Sequence, residues 1–398
     1  KCMPQFLDLY PSSSPSNVHS ILGANNVNLA KVETWITSRA RGGDGFGEVK
    51  ACLFVRLTTT EGLAGWGEAF ILPCRERAVA EIIHSLGDSS NALETVSPWS
   101  FRDRARQIAS GHQSLDFSAA SSALEMALWD INGKIAEKPI CKLLGGDHRL
   151  PVPIYGNIWS ETQWDVCSLE NRAIELIAQG YKAVKIHPML NHSIIDAANC
   201  VNRVRTAIGD EILLMVDLDS QENPDTALQF ADLIAPAQAY WFEEPVNGVD
   251  IQSLTKIRDL TGLRIVTGEK SSGVAHFSAV LSGGAADILN PDIAGIGGLL
   301  DMLEVAELAN LQNVKVSPHC WNSMTVAAAA MLHVCASIPN AELAEIYPEY
   351  LEHGEKFANT GFWLDGQNAY LSDKPGLGID IDVPALQNLT NDYKITFL

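Results

Sequence analysis

Three carboxylates, Asp217, Glu243 and Glu269, recur at a constant interval, each closing a short apolar run (ILLMVD, AYWFEE and RIVTGE). Like charges held at one height on three neighbouring strands repel strongly unless a cation sits among them, and an all-oxygen ligand set suits Mg2+. Consecutive carboxylates on a strand point to opposite faces, so only one of Glu243 and Glu244 faces that cation, and Glu244 is the competing ligand. Asp219 is a candidate ligand or a partner for a substrate hydroxyl. Lys270, beside Glu269, is a candidate substrate contact.

The ends of other apolar runs carry acid–base groups: Lys185 and His187 in KAVKIH, Asp292 just after ADILNP, His319 in VKVSPH and Glu345 in LAEIYP. Asp292 is well placed to orient His319, fixing its tautomer and raising its basicity. Lys185 shares a strand face with His187, where it can steer a carboxylate and depress the pKa of an imidazolium. Asn157 and Trp159, on the first run, are candidate pocket residues, with a packing role equally open for Trp159. His276 and His333 fall inside helical stretches and read as scaffold.

Eight apolar runs, beginning near Pro151, Lys182, Ile212, Ala239, Arg264, Ala286, Val314 and Leu343, alternate with helical stretches. Strands covered on both faces by crossover helices look like this, and eight of them predict a TIM-type (β/α) barrel with its site at the carboxyl ends. No Gly-x-Gly-x-x-Gly follows the first run, which weakens a dinucleotide-binding alternative. Before the barrel, residues 29–150 read as an α+β domain. Its antiparallel meander turns at Gly42-Gly43 and Glu61-Gly62, and a helix over residues 117–138 places Ala120, Leu124, Ala127, Leu128 and Ile131 on one face. Residues 1–28, with their Pro and Ser clusters, read as a tail.

With 398 residues, 46% of them hydrophobic, the chain can bury a large core. A formal charge of −20 argues against a nucleic-acid partner and requires a carboxylate substrate to meet positive charge inside the site. The eight cysteines are scattered without a Cys-x-x-Cys pair, and residues 1–28 hold no apolar run long enough for a signal peptide or membrane helix. A reduced cytoplasmic protein with no membrane partner is expected.

The chain resembles the enolase superfamily, and within it the mandelate racemase subgroup, from about Leu29 to its end. The resemblance is carried by ALWDINGK (127–134), LLGG (143–146), VKIH (184–187), the VD of MVDLDS, WFEEP (241–245), TGE (267–269), NPDIAGIGG (290–298), SPH (317–319) and PGLGID (375–380). It implies a modified TIM barrel, (β/α)7β, over residues 151–370, an N-terminal α+β capping domain, and a C-terminal segment, 371–398, packing back on the cap. Loops of the cap near residues 39–47 and 70–75 would close the barrel mouth. By the same resemblance Asp217, Glu243 and Glu269 bind Mg2+, Asp292 and His319 form a dyad, and Glu345 donates a hydrogen bond to the substrate carboxylate. The chain departs from the subgroup at Lys185-Ile186-His187, where Lys-x-Lys is usual, and at Asp217-Leu218-Asp219, where Asp-x-Asn is frequent.

The expected chemistry is removal of a proton next to a carboxylate and stabilisation of the enediolate by the metal. Dehydration of an acid sugar comes first, with racemisation or epimerisation and lactone cycloisomerisation as alternatives and a homo-oligomeric assembly expected. A non-catalytic metal-binding barrel and a metal-dependent hydrolase are the other classes; a hydrolase would want several metal-ligating histidines on early strands.

Overall fold

β-Branched and aromatic residues near the start of the chain form β1 (Leu29–Thr37), β2 (Leu53–Thr59) and β3 (Ala64–Ala69), an antiparallel set. They are seen in a computed structural model that describes residues 27–37, 51–88, 93, 96–158, 166–189, 193–221, 223–320 and 324–398. The Glu61-Gly62 turn joins β2 to β3, with Gly62 at φ +86°. The Gly42-Gly43 turn, the loop at residues 39–47 and Trp159 lie outside the described residues.

Helix Leu115–Ile135 starts where the Ser114 side chain accepts from the Phe117 backbone N–H, and it lies against β3. Gly65 and Gly67 allow that approach: a Cβ on either would stand 2.1 Å from the Ala127 carbonyl or 1.9 Å from the Ala123 carbonyl. The expected single apolar face is too narrow a description. Every residue from Ser118 to Gly133 is buried, because the helix is sandwiched between the cap sheet and the barrel.

The barrel strands are β4 (Val152–Ile158), β5 (Ala183–Ile186), β6 (Leu213–Asp217), β7 (Trp241–Glu243), β8 (Ile265–Thr267), β9 (Ile288–Leu289), β10 (Lys315–Val316) and β11 (Ala344–Ile346). All pair in parallel in sequence order, and β11 returns to β4. Between β10 and β11 there is no ladder, only a parallel bridge at Val316 and Ala341. The fold is thus a TIM-barrel-like α/β domain with an N-terminal cap, as the apolar runs and the resemblance imply.

Past the barrel come β12 (Ala358–Asn359), β13 (Phe362–Leu364), β14 (Asn368–Leu371), β15 (Asp380–Ile381) and β16 (Thr390–Phe397). The β13–β14 hairpin extends the barrel sheet at the amino end of β4, an addition without a counterpart in the sequence reading. β16 pairs antiparallel with β1 and completes a four-stranded cap sheet in the order β16-β1-β2-β3. No helix among the described residues is long and apolar enough to cross a membrane.

Buried carboxylates couple the cap to the barrel and to the C-terminal segment. Glu68 on β3 accepts the backbone N–H groups of Met324 (2.9 Å) and Ala327 (3.0 Å), capping helix Val326–Cys335. Asp130 accepts from the Trp66 and Leu377 backbones (3.0 and 2.9 Å) and from Lys134 (2.7 Å). Where β3 ends, the Phe70 N–H donates to the Ala294 carbonyl at 3.0 Å, which sets residues 70–72 over the barrel mouth.

Candidate active site

Strand alternation builds the barrel interior in layers. Tyr155, Ala183, Met215, Trp241, Val266 and Ile288 form an apolar floor. Two residues farther along the same strands stand Asn157, Lys185, Asp217, Glu243 and Asn290, and β11 adds Glu345. Asp217, Glu243 and Glu269 each present an oxygen, and these atoms lie within 4.8 Å of one another.

The phase of β7 separates the two candidate glutamates. Glu243 faces inward, accepting from Lys185 Nζ (2.6 Å), Asn290 Nδ2 (2.9 Å) and Trp241 Nε1 (3.0 Å). Glu244 turns to the other face and accepts from Ser220 Oγ (2.8 Å), Thr267 Oγ1 (2.7 Å) and the Gly268 N–H (2.9 Å). It is a structural acceptor, with φ at +40° beside left-handed Asp219 (+52°) and Ser220 (+63°).

The triad holds more negative charge than its own neighbours compensate. Burial pushes the Glu243 carboxyl well above the usual range, opposed by Lys185 and reinforced by Asp217 and Glu269. Burial likewise pushes Glu269 up to about 8, with His319 opposing. Asp217 is held below its ordinary value despite burial, by His187, Lys185 and the Asp219 N–H. Three converging oxygen donors with an unmet need for positive charge fit a hard divalent cation.

Lys185 is wholly buried, 2.6 Å from Glu243, 2.8 Å from Glu345 and 3.6 Å from Asp217. Burial alone would lower its pKa, but the Glu243, Glu345 and Asp217 carboxylates outweigh it and keep it cationic. Glu345 accepts from Lys185 and from Asn157 Nδ2 (2.5 Å) at one oxygen, and from the Cys320 N–H (2.7 Å) at the other. Burial opposes its charge, yet Lys185 and His319 hold it at about 2. Donation of a hydrogen bond from Glu345, the role that the resemblance implies, needs a protonated carboxyl.

The two histidines stand at opposite ends of the triad. His319 Nδ1 lies 2.7 Å from Asp292 Oδ2, and its Nε2 lies 3.3 Å from Glu269. Burial disfavours the imidazolium, but Glu269, Glu345 and Asp292 outweigh it and raise the pKa to about 9. His187 Nδ1 is 3.3 Å from Asp217 and its Nε2 3.2 Å from Asn157 Oδ1. Burial lowers its pKa to about 4, with Asp217 opposing and Lys185 reinforcing. Of the scaffold histidines, His333 Nδ1 accepts from the Cys141 N–H at 3.3 Å and is buried far from the mouth.

A cavity of about 400 Å3 opens above these groups, with His187, Asp217, Glu269 and His319 at its base and Asp219, Lys270 and Tyr347 at its side. Lys270 Nζ reaches Asp219 at 2.6 Å. Phe70, Leu72 and Leu115 of the cap form an apolar roof. Leu115, Tyr347 and Asn290 were not singled out in the sequence. Tyr347 and Asn290 lie two residues from Glu345 and Asp292, so strand periodicity was the available signal; Leu115 opens a helix and carried none. Asn157 does not line this cavity, since its amide is engaged by Glu345 and His187.

Two family models match: "Enolase C-terminal domain-like" over residues 168–385 and the mandelate racemase / muconate lactonizing enzyme N-terminal domain over residues 46–145. The chain is 30% identical to a D-galactarolactone cycloisomerase of Agrobacterium fabrum over 349 residues, covering 85% of this chain and 90% of that protein. It is 28% identical over 348 residues to a D-gluconate dehydratase of Thermoproteus tenax, covering 84% and 69%. The crystal structure of an enolase from the environmental shotgun sequencing of the Sargasso Sea matches with a TM-score of 0.88 at 38% identity, covering 93% of this chain and 98% of that one. With matches running through both the cap and the barrel, the chain belongs to the mandelate racemase and muconate lactonizing enzyme family of the enolase superfamily.

Proposed function

We propose that the protein is a Mg2+-dependent lyase that dehydrates an acid sugar. The observation that carries this is the contrast between His187 and His319, one at each end of the Asp217, Glu243 and Glu269 triad, in environments that favour opposite protonation states. The triad would hold Mg2+, which when bound supplies the positive charge that stabilises an enediolate. His187 takes the proton from the carbon next to the substrate carboxylate. His319, oriented by Asp292, delivers its proton to the β-hydroxyl, so that the C–O bond breaks and water leaves. The resulting enol becomes a 2-keto-3-deoxy acid. Relatives named for dehydration of D-gluconate and of D-galactonate support this substrate class.

Cycloisomerisation is the second reading, favoured by the 30% identical relative named for D-galactarolactone. Incubation with a panel of mono- and diacid sugars and Mg2+ separates the two. The expected result is a 2-keto-3-deoxy product, with solvent deuterium incorporated at the former β-carbon. Lactone consumption without any keto acid would replace dehydration by cycloisomerisation, and turnover unaffected by a chelator would remove the metal from the account.

A further inference from the structure

We propose that the substrate is a sugar acid whose end remote from the carboxylate is a methyl group, a 6-deoxyhexonate, and that Leu72 and Leu115 are the residues that select it. This rests on the acid-sugar reading of the site and adds the chemistry of the far end. The cavity has two kinds of wall. Its base and side carry groups that pair with polar atoms: His187, Asp217, Glu269 and His319 below, Asp219, Lys270 and Tyr347 beside. Its roof, among the described residues, is made of the carbon side chains of Phe70, Leu72 and Leu115. With the carboxylate end at the triad, the hydroxyl-bearing carbons run past the polar side, and the last carbon meets the roof.

The roof is fastened to the barrel. The Phe70 N–H donates to the Ala294 carbonyl at 3.0 Å, and the Leu72 carbonyl accepts from the Arg75 N–H at 3.1 Å. A Cβ on the next barrel residue, Gly295, would stand 3.3 Å from Phe70 Cβ and 3.4 Å from Leu115 Cδ1, so the glycine lies close beneath both. The Phe70 ring is centred 6.5 Å from that of His319, which puts the roof directly over the acid–base groups. Phe70 is buried, whereas Leu72 and Leu115 are half-buried and present carbon to the cavity. A hydroxymethyl group brought against them gives up water and gains no partner, and a second carboxylate gives up more. A methyl group gains from the same burial.

The test pairs each hexonate with its 6-deoxy form of the same configuration and with the corresponding aldarate, and measures kcat/KM with Mg2+. The 6-deoxy acid is expected to exceed its parent by about 10- to 100-fold, with the aldarate lower still. Leu72→Ser and Leu115→Ser each place a hydroxyl at the roof and are expected to bring that ratio within about threefold, by loss with the 6-deoxy acid and gain with the parent. Melting curves show whether the variants fold; if neither does, the wild-type ratio decides. A parent hexonate or an aldarate turned over as well as the 6-deoxy acid overturns the proposal, as does an unchanged ratio in both folded variants. Calorimetry with the same acids reads the preference without turnover. Binding of the 6-deoxy acid about tenfold tighter than its parent, with no keto acid formed, removes the dehydration reading and leaves the selection intact. Equal affinities, or binding of none of the acids, overturn it.

Discussion

Two sets of buried carboxylates in this protein, one on the cap and one at the barrel mouth, differ in what surrounds them. On the cap, Glu68 is met by backbone N–H groups of the barrel helix Val326–Cys335 and its lead-in, and Asp130 by those of Trp66 and of Leu377 in the C-terminal segment and by Lys134. At the barrel mouth, Asp217, Glu243 and Glu269 converge on one another, and burial pushes two of them toward neutrality. A carboxylate set apart from others and satisfied by donors stabilises a fold; carboxylates that converge on one another leave a demand for a cation and lower stability until it is met. The two regions should therefore respond in opposite senses to neutralising substitutions.

The largest effect is expected at the mouth. Glu269→Gln should lower kcat on the order of 1000-fold and weaken Mg2+ binding measured by calorimetry, while the metal-free protein melts no lower than wild type. A clear loss of thermal stability in that variant would place Glu269 with the structural carboxylates and erase the contrast.

Asp292→Asn sharpens the comparison within the site. Asp292 raises the pKa of His319 and favours its acid form, so activity should fall as pH rises on the alkaline side. Removing the Asp292 charge should move this limb to lower pH and reduce kcat by about 10- to 100-fold. The same sign holds for stability: the His319 contribution is complete below its unfolded value of 6.5 and is lost as pH rises through about 9. A pH–rate profile identical to wild type would show that Asp292 and His319 are not coupled.

Within the cap, Asp130→Ala should destabilise the protein by about 3 kcal/mol, read from the urea midpoint, because two backbone N–H groups and Lys134 lose their acceptor. Activity of the folded fraction should stay within about twofold. Activity loss matching that of Glu269→Gln would mean that the cap carboxylates also tune the site.

The smallest effect concerns the closure of the cap by β16. His84 bridges Thr34 on β1 and Thr396 on β16 at 2.8 and 2.9 Å, and burial lowers its pKa to about 4. A depressed histidine pKa contributes stability above its unfolded value of 6.5, and that stability is lost as pH falls toward about 4. His84→Gln should flatten the acid side of the stability profile, by less than about 1.4 kcal/mol per pH unit. An unchanged slope would assign the acid sensitivity to other groups.

The carboxylates and histidines at the mouth were legible because each ends an apolar run, and a run that is apolar on both faces leaves its polar residue nowhere else to go. Alternation alone left the choice between Glu243 and Glu244 open, since it says that two neighbours face opposite ways without saying which faces in, and only the resemblance favoured Glu243. Nor was the role of Asn157, which looked like a pocket residue from its strand position and is set by Glu345 on a strand far away in sequence.

Local periodicity and residue type by themselves determined the eight apolar runs, the antiparallel cap strands and the set of groups able to do acid–base chemistry, because these depend on neighbours a few positions apart. Tertiary structure decided the phase of each strand, the partner of each buried polar group and hence its charge. His187 and His319 are the same residue type at equivalent strand ends, yet an amide and one carboxylate meet the first and two carboxylates meet the second. Protonation follows from burial and from charges brought together across the fold, and those contacts exist only once the barrel has formed.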